Sequence, residues 1–157
     1  MNTLTILQDD RKDHNDFLIW QELQRYQDNK KAIIITSRTD EGFVRTTESI
    51  SFSLIFNPFD SEEERSSSQS FIMRSRTVFR TNPDVIIIEN LKDAIEQGLT
   101  EVDKYRMSMA LYSGHNIVVS MPFSDDDSAA AIESRSFVEK LQNDVKNSCQ
   151  IIHKKLS

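Results

Sequence analysis

The sequence predicts an α/β domain of three layers, in which helices cover both faces of a mainly parallel sheet. Three short apolar runs, at residues 32–36, 85–88 and 116–121, are rich in β-branched side chains and are typical of buried strands. Helical segments separate them, and strands joined through helices form parallel sheets with right-handed crossovers. The chain has 157 residues, about the length of one domain, so we expect a single domain over residues 1–157.

The first third of the chain contains one clear helix and one clear strand. Residues 3–7 are compatible with a short strand or an ordered tail. Apolar side chains at three-residue spacing predict a helix over residues 17–26, with Asp16 as its N-cap. The strand at 32–36 follows, and after a polar break residues 50–56 are compatible with either a strand or a poor helix.

The middle of the chain is polar before it becomes helical. Residues 60–70 are charged and rich in serine, which predicts a flexible loop, and residues 71–79 predict a helix. A further helix is expected over residues 100–113, capped by Thr100 and ended by Gly114. Its apolar side chains share one face: Val102, Tyr105, Met109 and Tyr112.

Residues 128–156 predict one long amphipathic C-terminal helix. Its apolar stripe would pack on the sheet or on another chain, and it consists of Ile132, Val138, Leu141, Val145, Cys149, Ile152 and Leu156. Three aspartates at residues 125–127 precede this helix and would favour its dipole. Cys149 lies on the stripe, so we expect a buried structural thiol.

Composition excludes several classes of protein. The formal net charge of −6 argues against nucleic-acid binding by bulk electrostatics. No apolar run approaches the roughly 20 residues needed to span a bilayer, and the N-terminal residues lack the pattern of a secretory signal. A single cysteine excludes an intramolecular disulfide and fits a reducing cytoplasm. With only three glycines, the chain has little material for a glycine-rich phosphate loop.

Two segments carry a family resemblance. The first is a strand of the Pro-Asp-apolar type, made of Arg80, Pro83, Asp84, Val85, Ile86, Ile87 and Ile88 and followed by Leu91, Lys92 and Asp93. The second consists of Ser113, Gly114, His115, Ile117, Val118, Val119 and Ser120. In this order they resemble the Walker B strand and the histidine box of the type II secretion and type IV pilus ATPases, a RecA-like motor family. The resemblance covers residues 17–123.

The sequence departs from the family at each position that the resemblance implies is active. Where the phosphate-binding loop belongs stand Ser37, Arg38, Thr39, Asp40, Glu41, Gly42 and Phe43, and Phe43 replaces the phosphate-binding lysine. The catalytic glutamate falls on Asn90, and the catalytic-site histidine falls on Phe123. The resemblance therefore implies a reduced RecA-like core with degenerate ATPase motifs.

These replacements remove the chemistry of an ATPase. Phe43 offers a phosphate neither charge nor hydrogen-bond donor, and we expect it to turn into the core. Asp40 and Glu41 would repel a triphosphate by about 3 kcal/mol per unit-charge pair at ~5 Å. Asn90 cannot take a proton from an attacking water. We expect no catalytic residue, no cofactor and no metal site, and His115 should make only local hydrogen bonds at its helix end.

Function follows as an expectation from this resemblance. The chain would be a non-catalytic pseudo-ATPase, an accessory or interaction subunit of a bacterial type IV pilus or secretion system. Its partner would be a secretion or pilus ATPase or a cytoplasmic platform component, and self-association stays open. It would be cytoplasmic, peripheral to the inner face of the membrane through partners, and without direct membrane insertion. The alternatives are a divergent nucleotide-binding ATPase and an adaptor or chaperone for secreted proteins.

Overall fold

A six-stranded parallel sheet forms the centre of the molecule. The computed structural model describes residues 2–12, 14–27, 30–50, 53–56 and 82–157. The elements in chain order are β1 Thr3–Asp9, α1 Asp16–Leu23, β2 Ala32–Ile35, α2 Glu41–Ile50, β3 Ser53–Phe56, β4 Val85–Ile88, α3 Leu91–Glu96, α4 Glu101–Tyr112, β5 Asn116–Ser120, α5 Ala129–Val145 and β6 Gln150–Leu156. The strand order is β3-β2-β4-β5-β1-β6, and each neighbouring pair is parallel.

The isoleucine runs account for β2 and β4, two neighbouring interior strands of this order. All four residues of β2 and all four of β4 are buried, as continuous apolar runs require when helices cover both faces of a sheet. Because successive side chains of a strand point to opposite faces, Ile33 and Ile86 join one core cluster, whereas Ile34 and Ile87 join the other. The sheet therefore separates two apolar cores.

Helices lie on both faces of the sheet. On one face α1 and α2 contribute Leu18, Ile19, Leu23 and Phe43 to the smaller core. On the other face α3, α4 and α5 contribute Leu91, Ala94, Met107, Ala110, Leu111, Phe137, Val138 and Leu141 to the larger one. The predicted α/β class, with three layers and a parallel sheet, is confirmed.

The ambiguous N-terminal segments are strands. Residues 3–7 belong to β1, which pairs with both β5 and β6 and is interior to the sheet. The segment 50–56 contains β3, which pairs with β2. The helix predicted over 17–26 is α1 followed by a short 3-10 turn, and its N-cap is Asn15 rather than Asp16. The flexible loop expected at 60–70, the helix at 71–79 and Arg80 lie outside the described residues.

The long C-terminal helix predicted over 128–156 is wrong. Ser128 does cap a helix, its Oγ accepting from the Ala131 N–H at 3.3 Å, but α5 ends at Val145. A turn follows, and residues 150–156 form β6, which runs beside β1 over its whole length. Pairing with an interior strand outweighs the helical spacing of the apolar residues, since strand preference depends on what the residue packs against. Cys149 is buried in the larger core, as expected.

The helix predicted over residues 100–113 is present as α4. Thr100 and Asp103 form a capping box at its start, with the Thr100 N–H donating to Asp103 Oδ2 at 2.8 Å. At its end Gly114 has a φ of 106°, a left-handed conformation that favours glycine. The predicted apolar face, however, is directed to solvent, because the buried side of α4 is formed by other residues.

Candidate functional site: the cleft at the carboxyl edge

A cleft opens at the edge of the sheet where the strands end. The chain leaves β1 toward α1 on one face, and it leaves the neighbouring β5 toward α5 on the other. Connections that diverge in this way leave a crevice outside the carboxyl ends of parallel strands, which is where open α/β sheets bind ligands. The cleft has a volume of about 230 Å³, and residues from the ends of β1, β4 and β5 line it, among them His14, Asn15, Glu89, Asn90, Ser120 and Phe123.

Asn15 fixes one wall of the cleft. Its side-chain oxygen accepts from the Asp9 N–H at 2.6 Å, and its amide nitrogen donates to the Met121 carbonyl at 3.0 Å and to Ser120 Oγ. The side chain is buried, so each of these polar atoms needs a partner. Asn15 thereby joins the loop after β1 to the end of β5.

The backbone of the loop after β1 is turned inward. The Asp10 N–H donates to the Leu156 carbonyl at 2.7 Å, and the Arg11 N–H donates to Asp9 Oδ1 at 3.0 Å. The Lys12 N–H points to the Asp9 carbonyl at 3.5 Å, and the Asp9 N–H is taken by Asn15. Four successive N–H groups are thus engaged with protein acceptors. A phosphate cradle needs such groups to converge on a ligand, so these four N–H groups do not form one.

Asp10 closes the same loop against the segment after β5. Its carboxylate accepts from the Ser124 N–H at 2.9 Å and from Ser124 Oγ at 2.6 Å. These hydrogen bonds lower the pKa of Asp10 to about 2. The carboxylate is therefore charged at neutral pH and holds the two loops together.

Glu89 is a buried carboxyl group at the end of β4. It is 2% exposed, and its Oε1 accepts from Thr36 Oγ1 at 2.7 Å. Among the described residues, Oε2 accepts no hydrogen bond; Arg38 Nη1 stands 3.9 Å away, too far for one. Burial raises the pKa of Glu89, and the Thr36 hydrogen bond and the Arg38 charge only partly oppose this. Ionising Glu89 therefore costs the folded state free energy.

Arg38 is the centre of an ion-paired cluster beside Glu89. Its guanidinium donates to Asp16 Oδ1 at 2.5 Å and to both oxygens of Asp40 at 2.8 Å. It also lies over the ring of Phe43, 4.0 Å from the centroid. The hydrogen bonds from Arg38 lower the pKa of Asp40 to about 2. Asp40 is thus neutralised locally, and Glu41 pairs with Arg45, so the repulsion expected from these two acids is largely offset inside the protein.

Phe43 lies in the smaller core, as the sequence predicted. It is 2% exposed, and its ring stacks against Trp20 with centroids 6.4 Å apart and an interplanar angle of 27°. Gly42, one residue before it, lies in the first turn of α2 rather than in a loop. A Cβ at Gly42 would have nothing within 4 Å, so no close approach of a ligand or backbone requires glycine there.

The structure brings together only part of the predicted site. Asn90 and Phe123 both line the cleft, and Asn90 Oδ1 caps α3 by accepting from the Asp93 N–H at 3.0 Å. The segment from Ser37 to Phe43 follows β2 and contributes no residue to the lining. Ser37 instead donates to Asp93 Oδ2 at 2.5 Å, and Thr39 is exposed. The resemblance implies a phosphate loop after β2, but the cleft is lined by residues from the ends of β1, β4 and β5.

Several residues of the cleft were not singled out from the sequence. His14, Asn15 and Glu89 are the additions, whereas Ser120 was named only as part of the segment that resembles the histidine box. The signal for the first two was available, because residues 3–7 followed by a polar stretch and a helix form a strand–loop–helix unit. If residues 3–7 form a strand, Asn15 is expected at the carboxyl edge of the sheet.

Among the described residues that line the cleft, Lys92 is the one lysine or arginine, and it is already ion-paired. Lys92, which lines it, donates to Asp126 Oδ2 at 2.7 Å, and this bond is the largest influence lowering the pKa of Asp126. His115 lies at the opposite end of the strands, where its Nδ1 is 2.7 Å from the carbonyl of Pro83, a residue 32 positions away in the chain rather than a local partner at its helix end. Within the described ranges, no three His, Cys, Asp or Glu side chains are grouped so that they could hold a metal ion.

Comparisons with known proteins leave the fold and the cleft as the basis for a function. No family model matches the chain, and no curated protein matches it. Among the helices of the described residues, none has both the length and the apolar character needed to cross a bilayer.

Proposed function

We propose that this chain is a non-catalytic interaction subunit, a pseudo-ATPase that acts by binding other proteins at a bacterial type IV pilus or secretion system. The secretion or pilus assignment rests on the resemblance of two segments, residues 80–93 and 113–120, to the motor domains of those systems. The lack of catalysis rests on the cleft. In this proposal the chain is cytoplasmic and reaches the inner face of the membrane only through its partners.

One observation carries the non-catalytic part of the proposal. The backbone N–H groups of Asp9, the last residue of β1, and of residues 10–12 all point to protein acceptors, in the segment that leads to the cleft residues His14 and Asn15. Binding a triphosphate there would require breaking several of these hydrogen bonds, each worth about 1 kcal/mol net, before any contact to phosphate is formed. No glycine in this loop makes a rearranged backbone easy to adopt.

The ion pairs around the cleft also disfavour the binding of a phosphate group. Asp16 and Asp40 hold Arg38, and Asp126 holds Lys92. A phosphate group would have to compete with carboxylates that are already bonded at 2.5 to 2.8 Å. Together with the net charge of −6, this favours a protein partner with basic groups over an anionic ligand.

Purification of the tagged full chain from its native cells tests the proposed partner. Mass spectrometry of the co-purified proteins should recover a pilus or secretion ATPase or a cytoplasmic platform component. If basic groups of the partner contact the acidic surface, the amount of partner recovered should fall in high salt, because salt screens exposed charge pairs. Recovery of secreted proteins in place of machine components would contradict the proposal and support an adaptor or chaperone.

A divergent ATPase is the second candidate, and Glu89 is the observation that favours it. A buried carboxyl group at the end of a central strand, with one oxygen accepting no hydrogen bond among the described residues, is the kind of group that catalytic clefts contain. The two candidates differ in whether the protein binds ATP with Mg²⁺. Saturable binding of ATP with Mg²⁺ is expected of the divergent ATPase and not of the interaction subunit.

A further inference from the structure

Helix α4 presents an apolar stripe to solvent. Its four residues are 54%, 62%, 45% and 48% exposed: Val102, Tyr105, Met109 and Tyr112, which we call the α4 stripe. The opposite side of the helix supplies Met107, Ala110 and Leu111 to the larger core. About half of each stripe side chain is thus exposed, and the Tyr112 hydroxyl donates to the Asp144 carbonyl at 2.6 Å.

The spacing of the stripe is that of a helix–helix seam. Steps of three, four and three residues place Val102 and Met109 at the a positions of a heptad and Tyr105 and Tyr112 at the d positions. An ordinary solvent-facing helix does not repeat large apolar residues in this register, since exposed helix faces are mainly polar. A second helix with a matching seam is the partner that such spacing fits.

The charges beside the stripe favour a second copy of the same helix as its partner. Glu101 occupies a g position and Arg106 the e position five residues later. In a parallel pair, g of one helix meets e of the next heptad of the other helix, so Glu101 of each copy meets Arg106 of its mate. In an antiparallel pair g faces g and e faces e, and this opposite-charge contact is lost. Glu101 also lies 3.1 Å from Lys140 and 3.8 Å from Lys104, but its side chain is 64% exposed and has room for a further cation.

We propose that two copies of this chain associate through the α4 stripe, with the two helices parallel about a two-fold axis. The four side chains from each copy would bury on the order of 1,000 Å² in total, at the lower end of specific interfaces. Because area of this size also has to offset the entropy of association, we expect a reversible dimer with a micromolar dissociation constant. The dimer does not depend on the pilus or secretion role.

Sedimentation equilibrium of the full chain, across the micromolar range, tests the dimer. The wild type should pass from monomer to dimer with rising concentration, and Tyr105→Glu should weaken the dissociation constant at least about tenfold. Ile132→Glu is the matched control, because Ile132 is 56% exposed but lies on α5; it should leave the constant unchanged. A wild type that stays monomeric, or equal weakening by the two variants, would overturn the proposal. Circular dichroism confirms that each variant is folded.

Charge reversal tests the parallel arrangement. Glu101→Arg and Arg106→Glu should each weaken the dimer, because each places like charges across the interface, and the double variant should restore it.

Cross-linking of Met109→Cys is a second test of the parallel arrangement, because an a position faces its own copy in a parallel pair. Oxidation should give a covalent dimer of this variant, whereas the buried Cys149 of the wild type should not form one. A double variant weaker than either single variant, or no cross-linking of M109C in a dimeric sample, would refute the parallel pairing.

Discussion

Replacing Phe43 by alanine tests whether the former phosphate position is now part of the core. Phe43 is 2% exposed, contacts Trp20 in a stacked pair and supports the Arg38 guanidinium 4.0 Å above its ring. If it is a core residue, the substitution leaves a cavity between α1, α2 and the sheet. If it is a loop residue near a ligand site, the substitution should hardly change stability.

The expected loss is large. Truncating a buried phenylalanine to alanine costs about 3–5 kcal/mol, and this includes the lost packing of its neighbours. The loss of the ring under Arg38 adds ~0.5–1 kcal/mol, the range for a partly exposed cation–π contact. A typical domain has only about 5–15 kcal/mol of stability, so Phe43→Ala should leave the protein close to unfolding.

Urea unfolding measures this loss, and the protein carries its own probe. Trp20 is the only tryptophan, and it stacks on Phe43, so its fluorescence reports on this core. Phe17→Ala is the control, because Phe17 is 46% exposed on the same helix as Trp20 and should cost less than about 1 kcal/mol. Phe43→Leu, which keeps most of the volume, should cost under about 1.5 kcal/mol and keeps the comparison measurable. A Phe43→Ala loss as small as that of the control would refute the reasoning.

Three further predictions concern the cleft and its surroundings. Burial raises the pKa of Glu89 in the folded state above the unfolded value near 4.5. The stability that the neutral carboxyl group contributes is therefore fully present below pH 4.5, and it is lost as the pH rises through the folded-state pKa. The gain in unfolding free energy from Glu89→Gln should thus grow between pH 4.5 and 8 in urea titrations; a pH-independent difference would contradict the burial effect. Gly42→Ala should raise the unfolding free energy by about 0.5 kcal/mol, since the site is open and helical, and a decrease would indicate a requirement for glycine. Asn15→Ala should cost about 2–4 kcal/mol by leaving the Asp9 N–H and the groups at the end of β5 without partners, and a change below about 0.5 kcal/mol in the same titrations would show that the clamp is dispensable.

The interior strands β2 and β4 were predictable from the sequence, but the edge strand β6 was not. β2 (Ala-Ile-Ile-Ile) and β4 (Val-Ile-Ile-Ile) are continuous apolar runs, and all four residues of each strand are buried. β6 was missed because its apolar residues continue the helical spacing of α5, and the polar residues between them, such as Lys154 and Lys155, are equally compatible with a helix. Only the pairing of β6 with the distant β1 decides its conformation.

The candidate site was predictable only in its local parts. Asn90 was identified because it directly follows an obvious strand, and the burial of Phe43 followed from its apolar character. The Asn15–Ser120 contact joins residues 105 positions apart, and no spacing rule connects them. The burial of Glu89 was not predictable, because the sequence shows only a charged residue after a strand, whereas its burial depends on the packing of Thr36 and Arg38 from another strand end.

Equilibrium binding of labelled ATP in the presence of Mg²⁺ tests the central claim most directly. The chain should show no saturable binding up to millimolar nucleotide, because the N–H groups beside the cleft are engaged and the neighbouring cations Arg38 and Lys92 are held by carboxylates. Saturable binding with a micromolar Kd that Glu89→Gln abolishes would contradict the account and identify a divergent nucleotide-binding enzyme.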